Sequence, residues 1–443
     1  MRNKEKGITL IALIITIIVM LILVGVVVTV VIQSNLLGTA KTAGDKYKTA
    51  YEDESNMSEV TINGEKYASI EDYLDGKVKL PEGAGKRFSE TKEYNDGTKT
   101  AWIPEGFTVS GINGETTIDG GLVIYDIPEN ELENVKWDGT EKTKYNQFVW
   151  IPVTVNESTD TETSIASFYR SQWENNARKT GTVGLNYTEP YSYDETNDYD
   201  ASTGIKNQIE NLTKSIYKYG GFYIGRYEAG SETERTKESA NTVTPIGIKQ
   251  DMYPYNYVKW GDSMSSIGEV GAVYLSNSLY NSNNYGATSM LCTGACWDSM
   301  LDFIKDTKDV TSSSDWGNYS NADFEITRGN YAEGVNETIG ASNIIGSFIA
   351  VEGTYKKELY SVSNKYILLT TGATERNSAK NIYDVAGNCS ELITESYSSN
   401  YRVERGGLYF NNGSYCPASK RSWRNPVDND GGMGFRPILY VNL

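Results

Sequence analysis

Arg405–Cys416 reads RGGLYFNNGSYC. An arginine followed by two glycines asks for close backbone approach or for a left-handed turn, because glycine alone takes positive φ freely. The residues after the glycines are aromatic, small or amide-bearing, and the stretch ends on a single cysteine. Such a segment is either the remnant of a redox centre or a surface built for contact, and its surroundings decide between the two.

Downstream the chain continues to Met433 as LYFNNGSYCPASKRSWRNPVDNDGGM, counted from Leu408. The rigid amphipathic aromatics Tyr409, Phe410, Tyr415 and Trp423 stand among the adaptable polar residues Asn411, Asn412, Ser414, Asn425 and Asn429. That composition is paratope-like, offering large contact area at low entropic cost with flexible hydrogen bonding beside it. With Leu408, Arg424, Asp428 and Asp430 these residues form the candidate ligand-binding set.

The composition of the whole chain narrows the chemistry. Its 443 residues, 12% of them aromatic, suffice for at least one large core with a stalk or linker to spare. Acidic residues outnumber basic ones 58 to 41, for a net charge of −17. Such a surface repels phosphate backbones, so nucleic acid is not an expected partner. Histidine is absent. This removes the Ser-His-Asp and Cys-His arrangements and the usual zinc and iron ligand sets. Cys292, Cys296, Cys389 and Cys416 are too few for a disulfide framework and would allow three pairings if all were oxidised. They read first as structural thiols.

At the other end, Ile8–Ile32 carries no charged residue, and a helix over it spans roughly 37 Å, enough to cross a bilayer. Arg2, Lys4 and Lys6 precede it, so the positive-inside rule places the long acidic remainder outside the cell. Residues 33–55 continue as a polar helix, and 56–99, punctuated by Asn63-Gly64, Asp75-Gly76 and Asp96-Gly97, read as a connector or stalk. From residue 100 onward short apolar runs alternate with turns. Expected strands are Gly121–Tyr125, Gln147–Ile151, Phe222–Tyr227 and Tyr366–Leu369. A helix is predicted from Thr293, with Trp297, Met300, Leu301 and Ile304 on one face. Residues 154–214 read as a large polar surface insertion. The fold class is α+β with much irregular structure.

Three resemblances sharpen this reading. Lys6-Gly7-Ile8-Thr9-Leu10-Ile11 resembles the leader of type IV prepilins, which implies cleavage between Gly7 and Ile8 and a hydrophobic helix retained on the mature protein. The glutamate usual at the fifth mature position is Ala12 here, so the charge used in filament assembly is missing, while anchoring is still implied. Further on, FVWIPV, GGFYIGRYEAG, YVKWGDSM, LCTGACWDSM, NIYDVAGNCSEL, RGG and GFRP succeed one another between Phe148 and Pro437. In that order they resemble the formylglycine-generating enzyme, or sulfatase-modifying factor, family. This implies a C-type-lectin-like fold over residues 100–443, with Arg405 and Arg436 as buried supports.

The enzymes of that family bind copper through two cysteines after the RGG. Here the second falls on Cys416 but the first on Asn411, and an amide is a poor ligand for soft Cu(I). No copper is therefore expected. Asn388 and Glu391 match the family's G-N-x-x-E segment and either ligate a structural calcium or hydrogen-bond within a turn. The domain also resembles the variable proteins of diversity-generating retroelements. Leu408–Cys416 lies wholly within the residue set reachable by changing the first two bases of an asparagine codon, so segment 408–433 is the expected diversified region. The sequence thus predicts a non-enzymatic protein of the cell surface, membrane-anchored with its C-terminal domain extracellular, that binds a protein or glycan and associates with other pilins. The alternatives are a copper-dependent oxidase and a structural minor pilin.

Overall fold

The computed structural model describes residues 78–137, 141–168 and 204–443, apart from 264, 282, 284, 336–343 and 399, together with 17–20, 60–62, 65–67, 173–174 and 177–178. The chain divides into two compact units, Met1–Lys79 and Leu80–Leu443. In the first, residues 17–20 are helical and exposed, and Val60–Ile62 pairs antiparallel with Glu65–Tyr67. The expected leader with Gly7 and Ile8, the rest of the 8–32 span and the 33–55 continuation lie outside the described residues. Among the described residues no helix is long and apolar enough to cross a membrane.

The second unit begins at Leu80 rather than at residue 100. Glycine-bearing turns suggest a stalk up to residue 99, but they also serve tight hairpins. Here Lys92–Asn95 and Thr100–Ile103 form a hairpin that buries Tyr94, Ala101 and Ile103.

Along the chain, the elements that build this unit are β1 (Thr108–Val109), β2 (Val123–Tyr125), β3 (Gln147–Pro152), α1 (Ile205–Tyr219), β4 (Gly221–Gly225), β5 (Ala287–Leu291) and α2 (Gly294–Ile304). After these come β6 (Tyr366–Leu369), β7 (Ser390–Ser398), β8 (Tyr401–Arg405), β9 (Arg421–Arg424), β10 (Met433–Phe435) and β11 (Pro437–Val441). A six-stranded antiparallel sheet runs in the order β5-β11-β4-β3-β2-β1. A four-stranded sheet runs β9-β8-β7-β10, with β10 parallel to β7.

The apolar runs of β3 and β4 alternate little, because both faces are covered, and nearly every residue in them is buried. α1 packs against β4 and β11, while α2 contacts β3 and β7 and so bridges the two sheets. α2 starts where the sequence predicts: the Thr293 side chain caps it by accepting from Cys296 N at 3.0 Å.

α1 begins within the stretch expected to be insertion, so residues 154–214 are not all surface. Ile205, Ile209, Leu212, Ile216 and Tyr219 recur at helical spacing and are buried, each contributing about 1.5–3 kcal/mol. The helix ends on Gly220 at φ 76°, whose N–H donates to Ile216 O. Its last turns are tied to the end of the chain by Ser215 Oγ, which donates to Val441 O, and Tyr219 OH, which donates to Asn442 O, both at 2.7 Å.

Candidate functional site

The motifs of the sequence meet in the interior as one hydrogen-bonded frame. Arg436 is fully buried and donates from Nη2 and Nε to both carboxylate oxygens of Glu391, at 2.6 and 3.0 Å. It also donates to Gly225 O and Tyr383 O, each at 2.8 Å. Asn388 Nδ2 donates to Glu228 Oε1, and Asn388 Oδ1 accepts from Asn318 Nδ2 and Leu369 N at 2.9 Å each. Arg405 pairs with Asp298 of α2 at 2.6 Å with both side chains fully buried. Trp260 Nε1 donates to Ile393 O, and the Arg402 guanidinium lies 3.9 Å from its ring centroid. Arg405 and Arg436 are therefore supports, as the resemblance implies.

The residue types of NIYDVAGN reflect its backbone. Asn381, Asp384, Gly387 and Asn388 all have φ between 59° and 75°, where asparagine, aspartate and glycine are the least strained choices. Three carboxyls, Glu228, Asp384 and Glu391, share this interior with Arg436. Burial, and next the carboxylates of Asp384 and Glu391, push Glu228 well above the usual range. Burial also raises Asp384, from 3.8 to about 6, against the pull of Gly372 N–H and Arg436.

A folded pKa above the unfolded one gives stability that is full below about pH 3.8 and is lost as pH rises through about 6. Asp384→Asn, which suits the left-handed backbone equally well, is expected to raise the midpoint of urea unfolding above pH 6 and leave it unchanged near pH 4. An equal shift at both pH values would place the effect outside Asp384 ionisation.

At the RGG turn the glycines meet both demands, positive φ and close approach. Gly406 and Gly407 have φ of 87° and 68°, and a Cβ on Gly407 would stand 2.4 Å from Cys416 O. This turn sends the next residues inward. Leu408 and Tyr409 are buried, Tyr409 packing with Phe410 against Tyr366, whose ring stacks on Tyr360 at 4.1 Å. Leu408 and Tyr409 are thus core residues rather than ligand contacts, and half-buried Phe410 is held in the same cluster. Asn411 closes the turn: its N donates to Leu408 O and its Oδ1 accepts from Leu408 N.

Beyond it, main-chain bonds dock the loop. Ser320 N donates to Asn411 O, Gly413 N to Asn321 Oδ1, and Ser313 N to Gly413 O.

The outward face comes next. Tyr415 is 74% exposed and Trp423 48%, with Ser414, Val427 and Asp428 also exposed. Asn412, Arg424, Asn425, Asn429 and Asp430 are half-buried. Trp423 sits on β9, an edge strand whose Arg424 pairs with Glu404 at 2.8 Å and with Asp430 at 3.7 Å. Its ring lies 4.4 Å from that of Tyr401 and 6.5 Å from that of Tyr397. Arg421, held by Glu395 at 2.8 Å, places its guanidinium 4.8 Å from the Tyr397 ring centroid. Tyr397 and Tyr401 fall outside the candidate set because they precede the RGG. Their signal is present in ESYSSNY, where aromatics flank a polar turn.

The metal expectations do not fit these residues. Both Glu391 oxygens and both Asn388 side-chain atoms are engaged within the protein, so calcium there would have to displace Arg436. The turn-bonding alternative does not describe the geometry either, because Asn388 and Glu391 bond to residues distant in the chain, Glu228, Asn318 and Leu369 for the one and Arg436 for the other. Among the described residues no three His, Cys, Asp or Glu side chains gather as ligands. The copper pair fits no better: Asn411 Oδ1 is already committed to Leu408 N, and burial pushes the Cys416 thiol up, away from the thiolate that Cu(I) requires. Cys292, Cys296 and Cys389 are buried.

Comparison with known proteins agrees with the motifs on one part of the chain. Residues 341–440 match the sulfatase-modifying factor enzyme 1-like domain family. This sulfatase-modifying-factor segment takes in NIYDVAGNCSEL, RGG and GFRP, and with them the C-type-lectin-like fold that the family implies. Among solved structures, the chain is similar to one titled "Crystal Structure of CarF" at 12% identity, over 50% of this chain and 87% of that one, with a TM-score of 0.27. It is also similar to Treponema denticola variable protein 1 at 11% identity, over 66% and 95%, with a TM-score of 0.23. No curated protein matches.

Proposed function

We propose that this is a non-enzymatic binding protein whose C-terminal surface, centred on Tyr415 and Trp423 and extended by Tyr397 and Tyr401, takes an extracellular protein or glycan. One observation carries the reading: a frame of fully buried ion pairs and main-chain bonds holds large aromatic side chains out to solvent. Exposed aromatics beside adaptable polar groups on a rigid support are how interfaces gain contact area at small entropic cost. The lack of histidine and the amide at Asn411 argue against oxidase chemistry.

Residues 8–32 anchor the protein in the cell membrane in this proposal, after leader cleavage between Gly7 and Ile8, and put it within reach of pilins. The surface is further proposed to be diversified. Amplicon sequencing of codons 400–440 across a population of the source organism is expected to find dense variation at the outward positions 412, 414, 415, 423, 425 and 427–429. Leu408 and Tyr409 should stay apolar, with Arg405, Gly406, Gly407 and Arg436 fixed. Uniform codons throughout would end the diversification proposal and leave a surface of fixed specificity.

A further inference from the structure

A polar cavity of about 300 Å³ opens elsewhere on the domain and shares no residue with the Tyr415–Trp423 surface. Its buried lining includes Glu115, Gln147, Arg226, Tyr227 and Tyr383, and its outer part Arg328 and the exposed Glu375. Arg226 Nη2 pairs with Glu115 at 2.7 Å, and its Nη1 donates to Gln147 Oε1 at 3.1 Å and Tyr125 OH at 3.2 Å. Its Nε, although buried, has no hydrogen-bond partner. Arg328 pairs with Glu375 at 2.8 Å, and Tyr383 OH donates to the other Glu375 oxygen. The Tyr227 and Tyr383 rings lie 5.0 Å apart, with the Arg226 guanidinium 5.7 and 5.5 Å from their centroids.

Two features define what fits. The charges cancel, since Arg226 is matched by Glu115 and Arg328 by Glu375. Both carboxyls sit below the usual range although partial desolvation opposes it, Glu115 chiefly through Arg226 and Glu375 through Tyr383 and Arg328. An added anion would therefore enter a lining with no surplus positive charge, inside a protein of net charge −17. Polar groups that already alternate donors and acceptors suit hydroxyls, each of which does both, and the aromatic walls suit a C–H face. The geometry points to a binding site for a neutral polyhydroxylated ligand, a single uncharged sugar unit held between the Arg226–Glu115 and Arg328–Glu375 pairs.

Saturation-transfer NMR on the full chain, in a detergent without a sugar headgroup, tests this with methyl glucoside, methyl galactoside and N-acetylglucosamine. Each is offered at roughly 10 mM, above the millimolar Kd that so small a contact gives. At least one neutral sugar is expected to receive saturation, and glucuronate less. Thr143→Trp, which puts a bulky side chain in the cavity lining, should abolish the transfer. Glu375→Gln, an exposed change with little bearing on folding, should weaken the neutral sugar at least about fivefold and strengthen glucuronate, since it leaves Arg328 unmatched. Trp423→Ala should leave this saturation transfer intact while weakening retention at the Tyr415–Trp423 surface, which separates this cavity from the proposed binding surface. Absence of transfer to every neutral sugar, stronger binding of glucuronate to the unmodified chain, or loss of transfer on Trp423→Ala would each overturn the assignment.

Discussion

Replacing Arg436 by methionine is expected to destabilise the folded state by about 3–5 kcal/mol, the usual cost of removing one partner from a buried ion pair. Methionine approximates the length of the arginine stem but carries none of its donors. The substitution leaves Glu391 without its charge-assisted bonds to Arg436 and orphans Gly225 O and Tyr383 O. Glu228 and Asp384 lose the cation that offsets them. Arg436→Lys keeps the charge but cannot span both Glu391 oxygens and two carbonyls at once, so most of the loss should remain. Urea unfolding of the full chain measures the effect. The double change Arg436→Met with Glu391→Leu should recover a large part of it, because the stranded carboxylate is then gone as well. An Arg436→Met midpoint equal to that of the unmodified chain would remove Arg436 from the frame.

Tyr415→Ala and Trp423→Ala are expected to do the reverse, each lowering affinity by about 2 kcal/mol or more, roughly thirtyfold, while unfolding stays within about 0.5 kcal/mol. The Tyr415 side chain is largely in solvent and that of Trp423 about half so, and among the described residues neither supplies a hydrogen bond to the frame. Labelled protein retained on a glycan array or on intact cells gives the readout. Tyr409→Ala is the necessary contrast. That ring is fully buried, so its removal should cost about 3–5 kcal/mol of stability and affect binding only through unfolding. If retention falls equally for Tyr409→Ala under conditions where it is folded, or persists in Tyr415→Ala and Trp423→Ala, the contact surface lies elsewhere.

Much of this frame can be read from the chain. The order of the short motifs points to the fold, and their arginines, glycines and left-handed asparagines turn out to be what holds it together. α2 is legible because Thr293 caps it and four apolar residues come after at helical spacing. α1 carries an equally regular apolar stripe, but polar residues between its apolar positions hide it within an acidic stretch. Which way a side chain faces after the RGG is a different matter. Composition makes Tyr409 and Tyr415 equivalent, and only the positive φ of Gly406 and Gly407, with the packing of Tyr366, sends one inward while the other stays out. The pairing of Glu391 with Arg436 is likewise a contact between residues far apart in the chain. Local spacing suggests a hard-oxygen ligand there, and a distant guanidinium takes its place.

The loop at 411–416 is fastened by its own main chain and by Ser313, Ser320 and Asn321, residues that lie outside it. Its anchorage therefore depends little on the side chains it carries at 414 and 415, which among the described residues add only the exposed Ser414–Ser314 hydroxyl contact at 3.2 Å. A lineage can exchange those residues repeatedly without eroding the folding margin that usually limits how many substitutions a domain absorbs. Such an arrangement would give evolvability to the face without disturbing the ion pairs of the frame behind it.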